Sequence, residues 1–158
     1  MMKNVDETST VNMQKILVAI DGSKQSLKAA IFGAYLAKMD KNTKLTLLYV
    51  VNVDKNVSAF DQVTTSGYVP VELKEQGFKI LYKLKNNLIA RENLSSNQID
   101  TIIFTGNPSY VIVDTAINEK YDCILMGRRG LGKLKSILLG SVSHYVLQNA
   151  PCPVCIVN

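Results

Sequence analysis

The chain has no apolar run approaching the ~18–20 residues that a membrane-spanning helix requires; its longest apolar stretches are short and strand-like, such as Ile16 to Ile20. A membrane protein is therefore excluded as an expectation. The first residues, Met1 to Gln14, are polar and hold no apolar segment followed by a small-residue cleavage site, so no secretory leader is expected and the stretch reads as a loose tail. Cysteine is scarce, with three residues and no leader, which argues against a disulfide framework and for a reducing compartment; the cytoplasm is the expected location. Internal repeats and low-complexity segments are absent. Acidic residues are missing from Cys123 to Asn158, where Arg128, Arg129, Lys133 and Lys135 supply four cations. The first 122 residues carry 14 basic and 13 acidic side chains, so nearly all of the net charge of +5 belongs to that last segment, which suits an anionic ligand.

What is present reads as one globular domain. A length of 158 residues allows a full hydrophobic core, and contents of 47% apolar and 20% charged residues are those of ordinary folded chains. Lys15 to Ile20 is a continuous apolar run ended by Asp21-Gly22-Ser23, the pattern of a strand buried on both faces and a turn, with Ser23 placed to cap a helix. Leu27, Ala30, Ile31, Ala34 and Tyr35 recur at helical spacing up to about Met39, and Leu45 to Val51 is the next strand. Asn52 to Pro70 is polar and without period, a long loop. Leu73, Ile80, Leu81, Leu84 and Leu88 mark a second helix, and Ile99 to Thr105 a third strand. Gly106-Asn107-Pro108 supplies a turn glycine, a capping side chain and a proline at a helix start. Cys123 to Met126, Ser141 to Asn149 and Val154 to Val157 complete a strand, a helix and a strand. Strict alternation of strand and helix predicts an α/β fold: a single-domain, open, five-stranded parallel sheet with helices on both faces. Such sheets bind ligands beyond the carboxyl ends of their strands, where Asp21, Val50, Gly106 and Gly127 fall.

The segment from Gly127 to Ser143 carries the chemistry. Glycines at 127, 130, 132 and 140 let backbone amides approach a ligand, cations follow, and Gly140-Ser141 opens a helix whose first amides lack intrahelical acceptors. These are the parts of a phosphate cradle; the same glycines could also serve only as turns. Gly127 to Lys133 matches the core of a phosphate-binding G-x-x-x-x-G-K loop, but Leu134 stands where a Ser or Thr would hold Mg²⁺. The order G-x-x-G-x-G is not that of a dinucleotide fingerprint. Asp21 suits either a ligand contact or a turn cap. Cys152-Pro-Val-Cys155 has the spacing of a redox or zinc pair, yet in an extended segment it sends the two sulfurs to opposite faces, so core packing is expected. His144 has no evident nucleophile or metal partner.

The pattern Gly127-x2-Gly130-x9-Gly140-Ser141 resembles the ATP-binding signature of the universal stress protein family. The resemblance extends over Lys15 to Ser23, Leu47 to Val50, Gly106 to Pro108, Asp122 to Gly127, Leu138 to Val142 and Cys152 to Val157. It implies a Rossmann-like sheet over residues 15–158, of the kind shared with adenine nucleotide α hydrolases. Ala19, Ile20 and Asp21 would lie by the adenosine, Val50 at the adenine, and Met126 and Gly127 beside the ribose. Arg129, Gly130, Gly140, Ser141, Val142 and Ser143 would surround the phosphates, with Mg²⁺ or Mn²⁺ accompanying them. Arg128 and Arg129 depart from the small or neutral residues usual between the first two glycines. The resemblance further implies a homodimer through the last strand and a nucleotide-dependent sensor or switch of the stress response, for which ATP, AMP or a cyclic nucleotide is the ligand. A true ATPase or phosphotransferase is the alternative from the enzyme class. A nucleic-acid-binding module using the C-terminal cations is a third reading, weakened by the lack of clustered aromatics.

Overall fold

The computed structural model describes residues 13–52, 71–131 and 139–158. In chain order its elements are β1 (Lys15–Ile20), α1 (Lys24–Met39), β2 (Lys44–Val51), α2 (Val71–Glu92), β3 (Ile99–Thr105), α3 (Pro108–Asn118), β4 (Cys123–Gly127), α4 (Ser141–Asn149) and β5 (Val154–Val157). All neighbouring strands are parallel, in the order β3-β2-β1-β4-β5. The chain thus winds outward from β1 to β3, crosses back, and continues from β4 to β5. The expected α/β architecture is observed.

Side chains alternate across the sheet as the pleat requires. Ile16, Val18, Ile20, Leu45, Leu47 and Leu125 point to the face covered by α1 and α2, while Leu17, Leu48, Ile124 and Met126 point to the face covered by α3 and α4. Both faces are dry, which explains why β1, β2 and β4 read as unbroken apolar runs. The first helix keeps Ala30, Ala34 and the partly buried Leu27 of the expected stripe on its core side but is rotated relative to it. Its buried face is Ser26, Ala29, Ala30, Gly33, Ala34 and Ala37, whereas Ile31 and Tyr35 are exposed. The reason is size: a Cβ on Gly33 would overlap Leu45 Cδ1, so the small residues let the helix axis sit close to the sheet and outcompete the larger apolar ones for that position.

Caps were legible locally. Ser23 Oγ accepts from the Ser26 amide at 3.1 Å, and Asn107 Oδ1 accepts from the Ser109 amide at 3.0 Å just before Pro108. Gly106 has φ of 142°, a conformation open to glycine. A short 3-10 turn at Ser96–Gln98 was not anticipated; its buried Gln98 donates through Nε2 to the Ala37 carbonyl at 2.8 Å, tying the end of α1 to the start of β3. Of the expected tail, residues 1–12 lie outside the described residues, but Met13 and Gln14 are anchored rather than loose. The Thr43 hydroxyl donates to the Met13 carbonyl at 3.0 Å, and the Gln14 and Lys15 amides donate to Asp122 Oδ2 at 2.9 and 2.7 Å. The loop expected over Asn52 to Pro70 lies, from residue 53 onward, outside the described residues.

Candidate functional site

The order in which the strands are laid down reverses between the parallel neighbours β1 and β4, and the crevice of a doubly wound fold opens where their carboxyl-end connections part to opposite faces. Ala19 is in register with Met126, and Ile20 with Tyr49, so the residues that follow each strand meet at that point. Ala19 and Val50 are half-buried toward α3 and α4, Ile20 is buried toward α1 and α2, and Met126 and Gly127 are buried beneath the crevice. Asp21 stands at its centre, half-exposed. Its backbone amide donates to Ser26 Oγ at 3.4 Å, and its Oδ1 accepts from the Ser23 amide at 2.9 Å, so one carboxylate oxygen does cap the turn. The other lies against Gly130, where a Cβ would collide with Oδ2. The structure therefore joins two expected site residues that are 109 positions apart in the sequence.

The glycines of the signature serve different ends. A Cβ on Gly127 would stand 2.7 Å from Gln25 Cβ and 2.9 Å from both the Gln25 carbonyl carbon and the Ser26 nitrogen. Its bareness is required by the first turn of α1, which presses on the end of β4. Among the described residues, a Cβ on Gly140 would meet nothing nearer than 3.4 Å, so none of their atoms requires glycine there. With Gly140 at the N-cap, no cap side chain among the described residues covers the first amides of α4. Ser141 is exposed and Val142 half-buried against the core under α4. Ser143 differs from the expected outward donor: it is 2% exposed, and its hydroxyl lies 2.8 Å from the Arg128 carbonyl and 2.9 Å from the Gly140 carbonyl. A hydroxyl has a single proton, and here these inward carbonyls take it.

The backbone of Arg128 is the knot of the site, a role that sequence reasoning missed. Its amide donates to the Val157 carbonyl at 2.9 Å, and its carbonyl accepts from the Gly140 amide at 3.0 Å as well as from Ser143. It thus fastens β4, β5 and the start of α4 together. Arg128 and Arg129 are half-buried, and the Arg129 carbonyl faces the Ser23 hydroxyl at 3.5 Å. Lys133 and Lys135 lie outside the described residues. Tyr49 was also missed, because it reads only as one member of a strand; burial first, and then the charge of Asp21, raise its phenol above its ordinary pKa.

The cysteines behave as packing residues. Cys155 lies on the α1 and α2 side of the sheet and Cys152 on the other, as their spacing implied. Burial pushes the Cys123 thiol up to about 11, and the Cys152 thiol is raised for the same reason. Among the described residues no group of three His, Cys, Asp or Glu side chains could hold a metal, and no helix is long and apolar enough to cross a membrane. Two open grooves, of about 340 and 500 Å³, run beside β3; neither is lined by a residue of the crevice.

A parallel sheet wound in both directions from β1, with Asp21, Gly130 and the start of α4 gathered at its switch point, defines the class as small doubly wound α/β proteins. Residues 12–158 match the model of the universal stress protein family, and the chain belongs to that family. It is 36% identical over 152 residues to the universal stress protein YxiE of Bacillus subtilis, covering 91% of this chain and 98% of that one. It superposes with a TM-score of 0.72 on the structure of the hypothetical protein MJ0577, at 29% identity, covering 92% of this chain and 95% of the other. A universal stress protein solved in complex with cAMP matches with a TM-score of 0.65 at 25% identity, covering 92% and 96% of the two chains.

Proposed function

We propose that the chain binds an adenine nucleotide, with ATP as the leading ligand, and acts as a nucleotide-dependent sensor or switch in a stress response with little or no hydrolysis. The observation that carries the reading is the meeting of Asp21, Gly130 and the uncapped start of α4 at the β1–β4 switch point. The cAMP complex of a related chain supports a nucleotide as the anion. In this reading Ala19, Ile20, Asp21 and Val50 hold the nucleoside, and Met126 and Gly127 form the floor under the ribose. Gly130, Gly140, Ser141 and Val142 offer backbone amides and one hydroxyl to the phosphates, and Arg129 adds charge. Ser143 contributes by fixing the turn through its inward hydrogen bonds. A bare Gly140 leaves space in the cradle that a Cβ would partly fill, which fits a phosphate group.

Hard oxygen donors suit Mg²⁺ or Mn²⁺, and since no protein cluster of three ligands exists among the described residues, the phosphates would be the main ligands, with Asp21 as a carboxylate at the crevice. Pairing of the half-exposed β5 edge between two copies would complete a homodimer. Three free cysteines fit a reducing, cytoplasmic setting.

The test is calorimetric titration of nucleotide-free protein with Mg-ATP, AMP and cyclic AMP, beside a Gly140→Trp variant and a phosphate-release assay. Saturable binding of at least one nucleotide, lost in Gly140→Trp while the variant stays folded, is the expected outcome. A folded protein that binds none of the three overturns the reading, and steady turnover abolished by Asp21→Asn would replace the switch with an ATPase.

A further inference from the structure

The sheet ends on one side in β3, a seven-residue strand paired only with β2 among the described residues. The Gly106 amide donates to the Val51 carbonyl at 3.0 Å, so by the alternation of a parallel ladder the even-numbered residues of β3 face β2. The amides and carbonyls of Thr101, Ile103 and Thr105 consequently point outward. Natural sheets protect such an edge with charged side chains, proline or a bulge; β3 reads Ile-Asp-Thr-Ile-Ile-Phe-Thr, and from Thr101 to Thr105 it has no charge and no proline, its single charge being Asp100 at the amino-terminal end.

Each face of this edge continues into a groove. On one side Thr101 meets Phe78, Tyr82, Lys79 and Lys85 of α2, around about 500 Å³. Phe78 and Tyr82 are 62% and 71% exposed, and no acidic residue occurs from Gln76 to Arg91, where Lys79, Lys83, Lys85 and Arg91 supply four cations. On the other side Phe104 meets Val111, Asp114 and Glu119 around about 340 Å³, so this groove is acidic.

We infer that the β3 edge receives an extended segment of a partner protein as a sixth strand, one whose alternate side chains are acidic or apolar toward α2 and basic or polar toward α3. Side chains of an added strand project to opposite faces in turn, and here the two faces meet opposite charge. Self-association at this edge is disfavoured. A two-fold axis normal to the sheet would bring the α2 lysines of two copies together, and likewise Asp114 and Glu119, placing like charges side by side on both faces. The occupant is thus a different chain of complementary pattern. This surface lies away from the β1–β4 crevice, so it stands or falls independently of nucleotide binding.

The probe is the capped peptide Glu-Lys-Leu-Thr-Glu-Lys-Val, which puts Glu, Leu and Val on one face and Lys and Thr on the other. Its control, Glu-Glu-Leu-Thr-Lys-Lys-Val, has the same composition with both charges mixed on each face. Titrated into isotopically labelled full-length protein, the first peptide should shift the amide resonances of Thr101, Ile103 and Thr105, and bind at least about fivefold more tightly than the control. Thr101→Pro removes an outward donor at a position where an edge strand tolerates proline, and should abolish those shifts. The Lys79→Glu/Lys85→Glu variant, which leaves the strand intact, should weaken the first peptide by about tenfold and spare the control. Equal binding of both peptides, shifts that map elsewhere, or no shifts at the highest soluble concentration overturns the inference.

Discussion

Gly127→Ala is the sharpest probe of how the crevice is built. The added Cβ would sit 2.7 Å from Gln25 Cβ and 2.9 Å from two backbone atoms of the same turn, where ordinary carbon contacts fall near 3.5–4.0 Å. The obstacle is largely backbone, so no rotamer change relieves it. The first turn of α1 must lift from the end of β4 by roughly 1 Å, a displacement of the kind that costs about 1–3 kcal/mol when a packed core is overfilled. The lower chain entropy of the unfolded alanine variant offsets about 0.4–1 kcal/mol of a cost that lies toward the upper end of that range, because the obstacle is backbone. Equilibrium urea unfolding should therefore show a net loss of about 1–3 kcal/mol, and a fall in Tm of roughly 3–10 °C. Because Ser23 and Ser26 in that turn hold Asp21, the proposed nucleotide binding should weaken with it. Gly140→Ala is the control: its Cβ meets ordinary contacts from 3.4 Å outward, so it should unfold within about 1 kcal/mol of the parent. An unchanged urea midpoint for Gly127→Ala would refute the seating of α1 against β4 and the account of the crevice built on it.

Ser143→Ala deletes the hydroxyl held between the Arg128 and Gly140 carbonyls and leaves them with one partner fewer in a dry site, so it should cost about 1–2 kcal/mol by the same urea assay. An alanine variant as stable as the parent would show that the knot at Arg128 does not need it. Alkaline pH should expose the burial of Cys123. Burial pushes its thiol from the ordinary value of 9.0 up to about 11 in the fold, so the unfolded state loses its proton first. The stability from this group is fully present below the unfolded value and is lost as pH rises through about 9 to about 11; Cys123→Ala should flatten that part of the stability profile. A parent profile that the substitution leaves unaltered would count against a buried neutral thiol.

Local signals were readable without the structure wherever their cause is local. The continuous apolar runs of β1 and β4, the Ser23 cap, and the Gly106-Asn107-Pro108 turn each depend on a few consecutive residues, and each is found as expected. So was the split of Cys152 and Cys155 across the sheet, a consequence of strand period alone. The α1 stripe holds in part: Ala30, Ala34 and Leu27 face the core but Ile31 and Tyr35 do not, because helical spacing counts apolar residues without weighing their size and the sheet accepts the small face. Gln98 could not be anticipated, since its partner at Ala37 is 61 residues away.

The sequence by itself determined the alternation of strands and helices, hence the parallel sheet, and the glycine-rich run that ties the chain to its family. Those follow from periodicity and from steric rules that act within a few residues. Only the tertiary structure decided what each glycine is for: Gly127 yields to α1, Gly130 to Asp21, and Gly140 to no atom of the described residues. It also turned Ser143 inward and made the Arg128 backbone the joint between two strands and a helix. These assignments depend on which distant segments the crossovers bring within contact, and a linear pattern carries no measure of that distance.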